Sequence, residues 1–199
     1  MKESYINACF KETVLRKFPD REKQLVSAFE KRLLELRKDN AGATKEKMLH
    51  LERQILPGIA AYEVLQTVME KSDALNTVHG YVETNARSMQ KKLTSLLRVP
   101  LLYRLVPGAF VIGTRKMFGK SAGFDAVEHQ TSGGVWRIDM TRCPYNDTCI
   151  HYGCPELCCC FCDSDDIAYG NMHKKLIWNR TKTLGRGNDC CDFCIKAVK

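Results

Sequence analysis

The hydrophobic positions of this chain change their period partway along it. Over residues 20–39, DREKQLVSAFEKRLLELRKD, Leu25, Phe29, Leu33 and Leu36 recur at helical spacing, with charges on the other faces. Asp20, after Pro19, is placed to cap this helix with its carboxylate, and Asn40, Gly42 and the AGAT loop end it. A short helix is predicted from Lys45 to Leu56, a break at Pro57-Gly58, and a helix from Ile59 to Glu70. A longer amphipathic stretch runs from Ala74 to Leu97 and stops at Val99-Pro100. Residues 101–118 read as a short helix, a break at Pro107-Gly108 and another short apolar segment. No element is assigned to the first nineteen residues.

After Gly119 the period shortens to two. In 134–142, GVWRIDMTR, the apolar Trp136, Ile138 and Met140 alternate with Arg137, Asp139 and Thr141. With 123–129 and the QTSGG turn between them, these residues predict a hairpin. Residues 174–184 and 189–198 predict a third and a fourth strand, with Gly185 and Gly187 at the turn. Between the strand pairs lies 147–169, where Asp147 caps a first turn, Gly153 interrupts, and Pro155-Glu156 open a cysteine-rich helix. The order β-β-α-β-β with short turns implies an antiparallel sheet. The fold class is therefore α+β, a single domain over 1–199 in which a helical part, 1–119, packs on a small sheet with one cysteine-rich helix, 120–199.

Composition narrows the class. The chain has 199 residues, 44% hydrophobic and 27% charged, which suits a soluble globular protein and argues against disorder. No run approaches the length of a membrane span, and the first eighteen residues lack the apolar core of a signal peptide, so a cytoplasmic location is expected. The net charge of +8 sits in the helical part. Lys91, Lys92, Arg98, Arg104, Arg115, Lys116 and Lys120 are spread over several elements without aromatic or helix-turn-helix support. They read as a solvated face, or as a field that attracts an anionic substrate, with neither nucleic acid nor membrane as partner. The G-K-S of 119–121 lacks the upstream glycine of a phosphate loop.

The chemistry concentrates in cysteine. There are 11, and all but Cys9 lie between Cys143 and Cys194. The length, the odd count and the charged N-terminus argue against a disulfide framework. A zinc or iron site would draw on Cys158, Cys162, Cys191 and Cys194, but Cys191 and Cys194 point to opposite faces of a strand. Plain packing suits any single cysteine. A reactive thiol needs a base or a cation nearby, and His151, His173 and Arg180 are the available groups. His50, His79 and His129 have no motif around them and read as structural or solvent-facing; Trp136 and Trp178 read as core.

Three stretches carry a resemblance. They are ELCCCFCDSD at 156–165, with Phe161, Cys162 and Asp165; HKKLIWNRTKTLGRGNDCCDF at 173–193, with Arg180, Thr181, Thr183, Leu184, Gly187 and Cys191-Asp192-Phe193; and LPGIAAYEVL at 56–65. In order and spacing the chain resembles the L-2-amino-thiazoline-4-carboxylic acid hydrolase family of bacterial proteins. The resemblance implies a hydrolase that acts on a carbon–nitrogen bond of a small cyclic amidine-like acid, on a route to cysteine. Its target carbon is bonded to two nitrogens and a sulfur, so hydrolysis needs a nucleophile, a proton donor and a carboxylate clamp. Cys162 or Cys191 is then the candidate nucleophile. Asp165 or Asp192 would hold the amidine nitrogens, Arg180 the substrate carboxylate, and His151 or His173 would move protons. Asp192 and Arg180 are equally readable as a cross-strand ion pair. The alternative is a cysteine-rich metal-binding or redox-responsive small-ligand-binding protein without hydrolase activity; any cofactor is open, with a divalent metal such as zinc possible, and a homo-oligomer is possible.

Overall fold

The structure is a computed structural model that describes residues 4–131 and 133–198. Ser132, in the QTSGG turn expected between the first two strands, lies outside the described residues.

The helical period does what the pattern requires. Helix α1, Tyr5–Lys17, buries Ile6, Phe10 and Val14, and α2, Glu22–Asp39, buries Leu25, Phe29, Leu33 and Leu36. The two stack Phe10 on Phe29 with ring centroids 4.4 Å apart. Helix α1 is an addition to the sequence reading; its spacing is legible, but charges between the apolar positions dilute it. Asp20 does not cap α2. It lies in a single 3-10 turn, Pro19–Arg21, and α2 starts one residue later without a side-chain cap.

Pro57-Gly58 is not a break. The chain runs unbroken through α3, Lys45–His50, a π-helical turn, Leu51–Ile55, and α4, Leu56–Leu65. Proline lacks the amide that would continue the α-ladder. The turn before it widens instead, and the Leu56 amide donates to the carbonyl of Leu51, five residues back. Ser4 Oγ donates to the carbonyl of Arg53 at 2.7 Å and so replaces the donor that Pro57 cannot supply. The same hydroxyl caps α1 by accepting from the Ile6 amide.

Helix α5, Lys71–Leu96, is followed by a 3-10 turn, Leu102–Leu105, and by α6, Val106–Met117. Pro107 does not break this region either. It sits in the first turn of α6, where a missing amide costs nothing.

The sheet is antiparallel throughout, with β1 (Asp125–Glu128), β2 (Val135–Arg142), β3 (Leu176–Asn179) and β4 (Cys191–Ala197) in the order β1-β2-β4-β3. The last strand therefore fills the gap between the hairpin and β3. Between β2 and β3 run α7, Pro144–His151, and the cysteine-rich α8, Leu157–Tyr169, with Gly153 at φ +69° between them. Strand β3 is shorter than predicted because Asp192 captures the chain beyond it. Its carboxylate accepts from the Thr181 amide at 2.8 Å, from Thr181 Oγ1 at 2.6 Å and from the Lys182 amide. The expected Asp192–Arg180 ion pair does not form.

Two apolar cores result. One holds α1, α2, α4 and the first half of α8, from Ile6 to Phe161. The other lies between the sheet, α6 and the residues around Leu97 and Tyr103, and is centred on Trp136, Ile138, Met140 and Ile195. The helical part thus meets the sheet chiefly through α6, and packs elsewhere on α8. Helices α4 and α8 cross at Gly58: a Cβ there would lie 2.6 Å from Phe161 Cζ. We expect Gly58→Ala to lower stability by about 1–3 kcal/mol, read from the midpoint of chemical denaturation, by overpacking this crossing. Adding Phe161→Leu should recover most of the loss. An unchanged midpoint in Gly58→Ala would mean that the ring yields without cost.

Candidate active site

Where the two cores fail to merge, a cavity of about 440 Å³ remains. Its floor is the inner face of the sheet, with Trp136, Met140, Trp178, Cys191 and Phe193. Helix α8 forms one wall through Phe161, Cys162, Asp165, Ala168 and Tyr169, one face of a helix by spacing. Helices α5 and α6 close another side with Ala86, Met89 and Phe110. The π-turn and its flank contribute His50, Arg53 and Gln54, and the start of α7 adds Cys143 and Tyr145. Most of this lining is apolar or aromatic, so the few polar groups stand out.

Arg180 is the pivot. Its side chain is 1% exposed. Nη2 donates to the Cys162 carbonyl at 2.9 Å and to Asp166, and Nη1 lies 3.5 Å from Asp165 Oδ2. The guanidinium carbon lies 5.4 Å from the centroid of Phe193. Asp166 also accepts from Trp178 Nε1 at 2.8 Å. Of the two carboxylates, Asp166 is thus fully engaged and Asp165 only loosely. The Asp165 side chain is 39% open and lines the cavity. Burial lifts its pKa to about 7, against the pull of Arg180 and with a push from Asp166. An ionisable carboxyl that is part-charged at neutral pH is suited to accept and return a proton.

The cavity thiols are the opposite case. Burial raises Cys143 and lifts Cys191 to about 11. Cys162 is pushed up first by its contact with the Cys158 thiol, 4.0 Å away, and then by burial. Each is a neutral thiol at physiological pH. The loop after β3 lies on these sulfurs. Leu184 donates its amide to Cys191 Sγ at 3.2 Å, and Cys159 Sγ meets the Gly185 carbonyl at 3.1 Å. A Cβ on Gly185 would come within 3.0 Å of the sulfurs of Cys158 and Cys162. The Thr-x-Thr-Leu-Gly run and its glycine therefore have a packing reason: only bare backbone fits there.

The expected site residues divide. Cys162, Asp165, Arg180 and Cys191 line one cavity. Asp192 does not; it points from the other face of β4 and holds residues 181 and 182. His151 is exposed on α7, edge-on to Tyr152. His173 stacks on Tyr103 at 4.8 Å in a separate surface groove. The four-cysteine metal set is not assembled, since Cys194 lies on the far face of β4 from Cys191. Among the described residues, no three His, Cys, Asp or Glu side chains are grouped so as to hold a metal ion.

Two residues that the sequence reading did not select belong to the cavity. His50 is 8% exposed. Its Nε2 lies 2.9 Å from the Met117 carbonyl, which can only accept, so Nδ1 is the acceptor facing Tyr145 Oη at 3.4 Å. Burial lowers its pKa, which keeps this ring neutral. Arg53 has no carboxylate partner among the described residues, although it lines the cavity. No short motif marks either; Arg53 lies in the wide turn before Pro57, and His50 directly precedes that turn.

These features define a small α+β protein with a largely apolar pocket, a carboxyl of raised pKa within it and two arginines around it. The family model of L-2-amino-thiazoline-4-carboxylic acid hydrolase matches residues 48–195, and the chain belongs to that family. The match covers every cavity residue named above. No curated protein matches the chain. Among solved structures it is similar to the Fe(II) unliganded H-NOX protein from K. algicida, with 11% identity and a TM-score of 0.36 over 100% of this chain and 97% of that one. A likeness so slight carries no argument.

Asp165 and Asp192 should behave differently when changed. Asp165 holds its proton more tightly folded than unfolded, so the native state loses stability as pH rises from about 4 to 7. Asp165→Asn should therefore raise the melting temperature at pH 8, with the gain fading toward pH 4. Asp192→Ala should instead lower stability by about 2 kcal/mol at every pH above 5, because three hydrogen bonds lose their acceptor. Thermal melts across pH check both.

Proposed function

We propose that this protein hydrolyses a small cyclic amidine bearing a carboxylate, of the 2-amino-thiazoline-4-carboxylate type, by general-base attack of water. The observation that carries this reading is the Asp165 carboxyl, lifted to about 7 in a largely apolar cavity that Arg53 and Arg180 also line. Such a substrate carries an amidinium at one end and a carboxylate at the other. The amidinium finds Asp165. The carboxylate finds Arg53, which has no carboxylate partner among the described residues, whereas Arg180 is already held by two aspartates.

The step follows from these groups. The water oxygen bonds to the carbon that carries the two nitrogens and the sulfur. Asp165 takes the proton from that water and returns it to the departing ring heteroatom as the ring opens. Arg180 keeps Asp165 oriented, and its positive charge limits how far the pKa climbs. Trp136, Phe110 and Tyr169 make the cavity wall apolar and so support the shift. The raised thiols of Cys162 and Cys191 do not attack here; they are small wall residues.

Ring opening of 2-amino-thiazoline-4-carboxylate by the full chain tests the proposal, followed as release of the opened product. The rate kcat/KM should rise with pH through about 7, since the base form of Asp165 is required. Asp165→Asn should lose roughly 10²–10⁴-fold in kcat, the usual worth of a positioned acid–base group. Arg53→Met should raise KM more than it lowers kcat. Cys162→Ser and Cys191→Ser should keep activity within about tenfold of wild type. Loss of all turnover in either serine variant, with an intact fold, would replace water by a cysteine nucleophile.

A further inference from the structure

We infer that the segment from Leu96 to Ile112 docks this protein onto the surface of an anionic lipid bilayer. The first observation is one of sequence. Residues 84–124 contain eight Lys and Arg and no Asp or Glu. The second is one of exposure. In this same stretch the fold leaves Leu96, Val99, Leu101, Leu105 and Ile112 between 54% and 71% exposed. Leu97, Tyr103 and Pro107 are buried between them, so the segment is anchored and its outward leucines are held in place. Leu105, at the N-cap of α6, and Ile112 within it are seven residues apart and so point the same way, and Lys116 follows at the C-terminal end beside Arg115, which Glu128 takes.

The basic groups sit around this apolar rim. Arg98, Val99 and Leu101 form one side of a surface groove, and His173, Lys174 and Lys175 form the other. None of Arg98, Arg104, Lys174 and Lys175 has a carboxylate partner among the described residues. Exposed aliphatic side chains ringed by unpaired cations match the two forces of a bilayer surface, acyl burial and phosphate attraction. A second copy of this chain would bring the same positive field against itself, so charge disfavours self-association as the cover.

Leu101 adds an independent sign. It sits at φ 65°, in the left-handed region that favours glycine, with its side chain in solvent. A leucine there costs backbone strain and stays mostly exposed, which a docking surface would offset. The other face of α6 lines the cavity through Phe110, Thr114 and Met117, so docking would set the bilayer against a wall of the site.

Sedimentation of the full chain with lipid vesicles tests the inference. Phosphatidylglycerol-rich vesicles should carry the protein down, pure phosphatidylcholine vesicles should not, and binding should fall as salt rises. Arg98→Gln with Arg104→Gln should weaken binding roughly 25-fold, about fivefold per cation. Leu101→Asp with Leu105→Asp should abolish it. Leu101→Gly should separate docking from folding, with weaker vesicle binding and a melting temperature equal to or above wild type. No binding to anionic vesicles at low salt, or equal binding to neutral ones, would overturn the inference. So would displacement by inorganic phosphate but not by chloride at equal ionic strength, which would assign the groove to a free anion. A dimer that Leu101→Asp dissociates, without vesicle binding, would give the face to a second copy instead.

Discussion

The buried guanidinium of Arg180 is the constraint around which the C-terminal half is arranged. A cation removed from water needs partners on every donor, and leaving one unpaired is costly. Helix α8 supplies them from one stretch: the Cys162 carbonyl, Asp165 and Asp166. That demand fixes the helix against the end of β3. Once α8 is fixed, its apolar face meets α4 at Gly58, and its opposite end joins the sheet core through Tyr169. Arg180, with Tyr145 packed against both, thus ties the two cores together.

The same pairing decides the chemistry. Two carboxylates compete for one arginine, and Trp178 settles the competition by donating to Asp166. Asp165 is left with a weak share of positive charge in a low-dielectric pocket, which is why its pKa rises while a neighbour in sequence is fully engaged. Asp139 and Asp192, opposite one another across β2 and β4, would repel if free. His129 takes Asp139 at 2.8 Å and the 181–182 backbone takes Asp192, so the outer face of the sheet carries its acids quietly.

Much of this was legible in the sequence where the signal is local. The period of four in α2, the alternation in β2 and the interruption at Gly153 were each read correctly, because each is set by near neighbours. Cys162 and Asp165, three apart on a helix, fall on one wall by geometry alone. What could not be read depends on distant residues. Pro57 looks like a break until Ser4 is seen to satisfy the Arg53 carbonyl. Asp192 looks catalytic until the loop it captures is seen. His50 and Arg53 reach the site from over a hundred residues away in sequence, and no short motif marks them. His151 and His173 were chosen for sequence proximity to the cysteines, which the turns at Gly153 and after α8 undo.

The cysteine richness is best understood as a matter of volume. The loop after β3 lies so close to α8 that Gly185 has no room for a methyl group, and the α8 positions beneath it must be small yet apolar. Alanine would leave space against the loop, and valine or leucine would force it away. A thiol fills the gap and still gives the backbone a weak partner, as the Leu184 amide and the Gly185 carbonyl show. The environment that makes these thiols good packing also raises their pKa. Close packing of the sulfurs and activation of a thiolate are therefore opposed here, which is why the proposed function gives the acid–base role to Asp165.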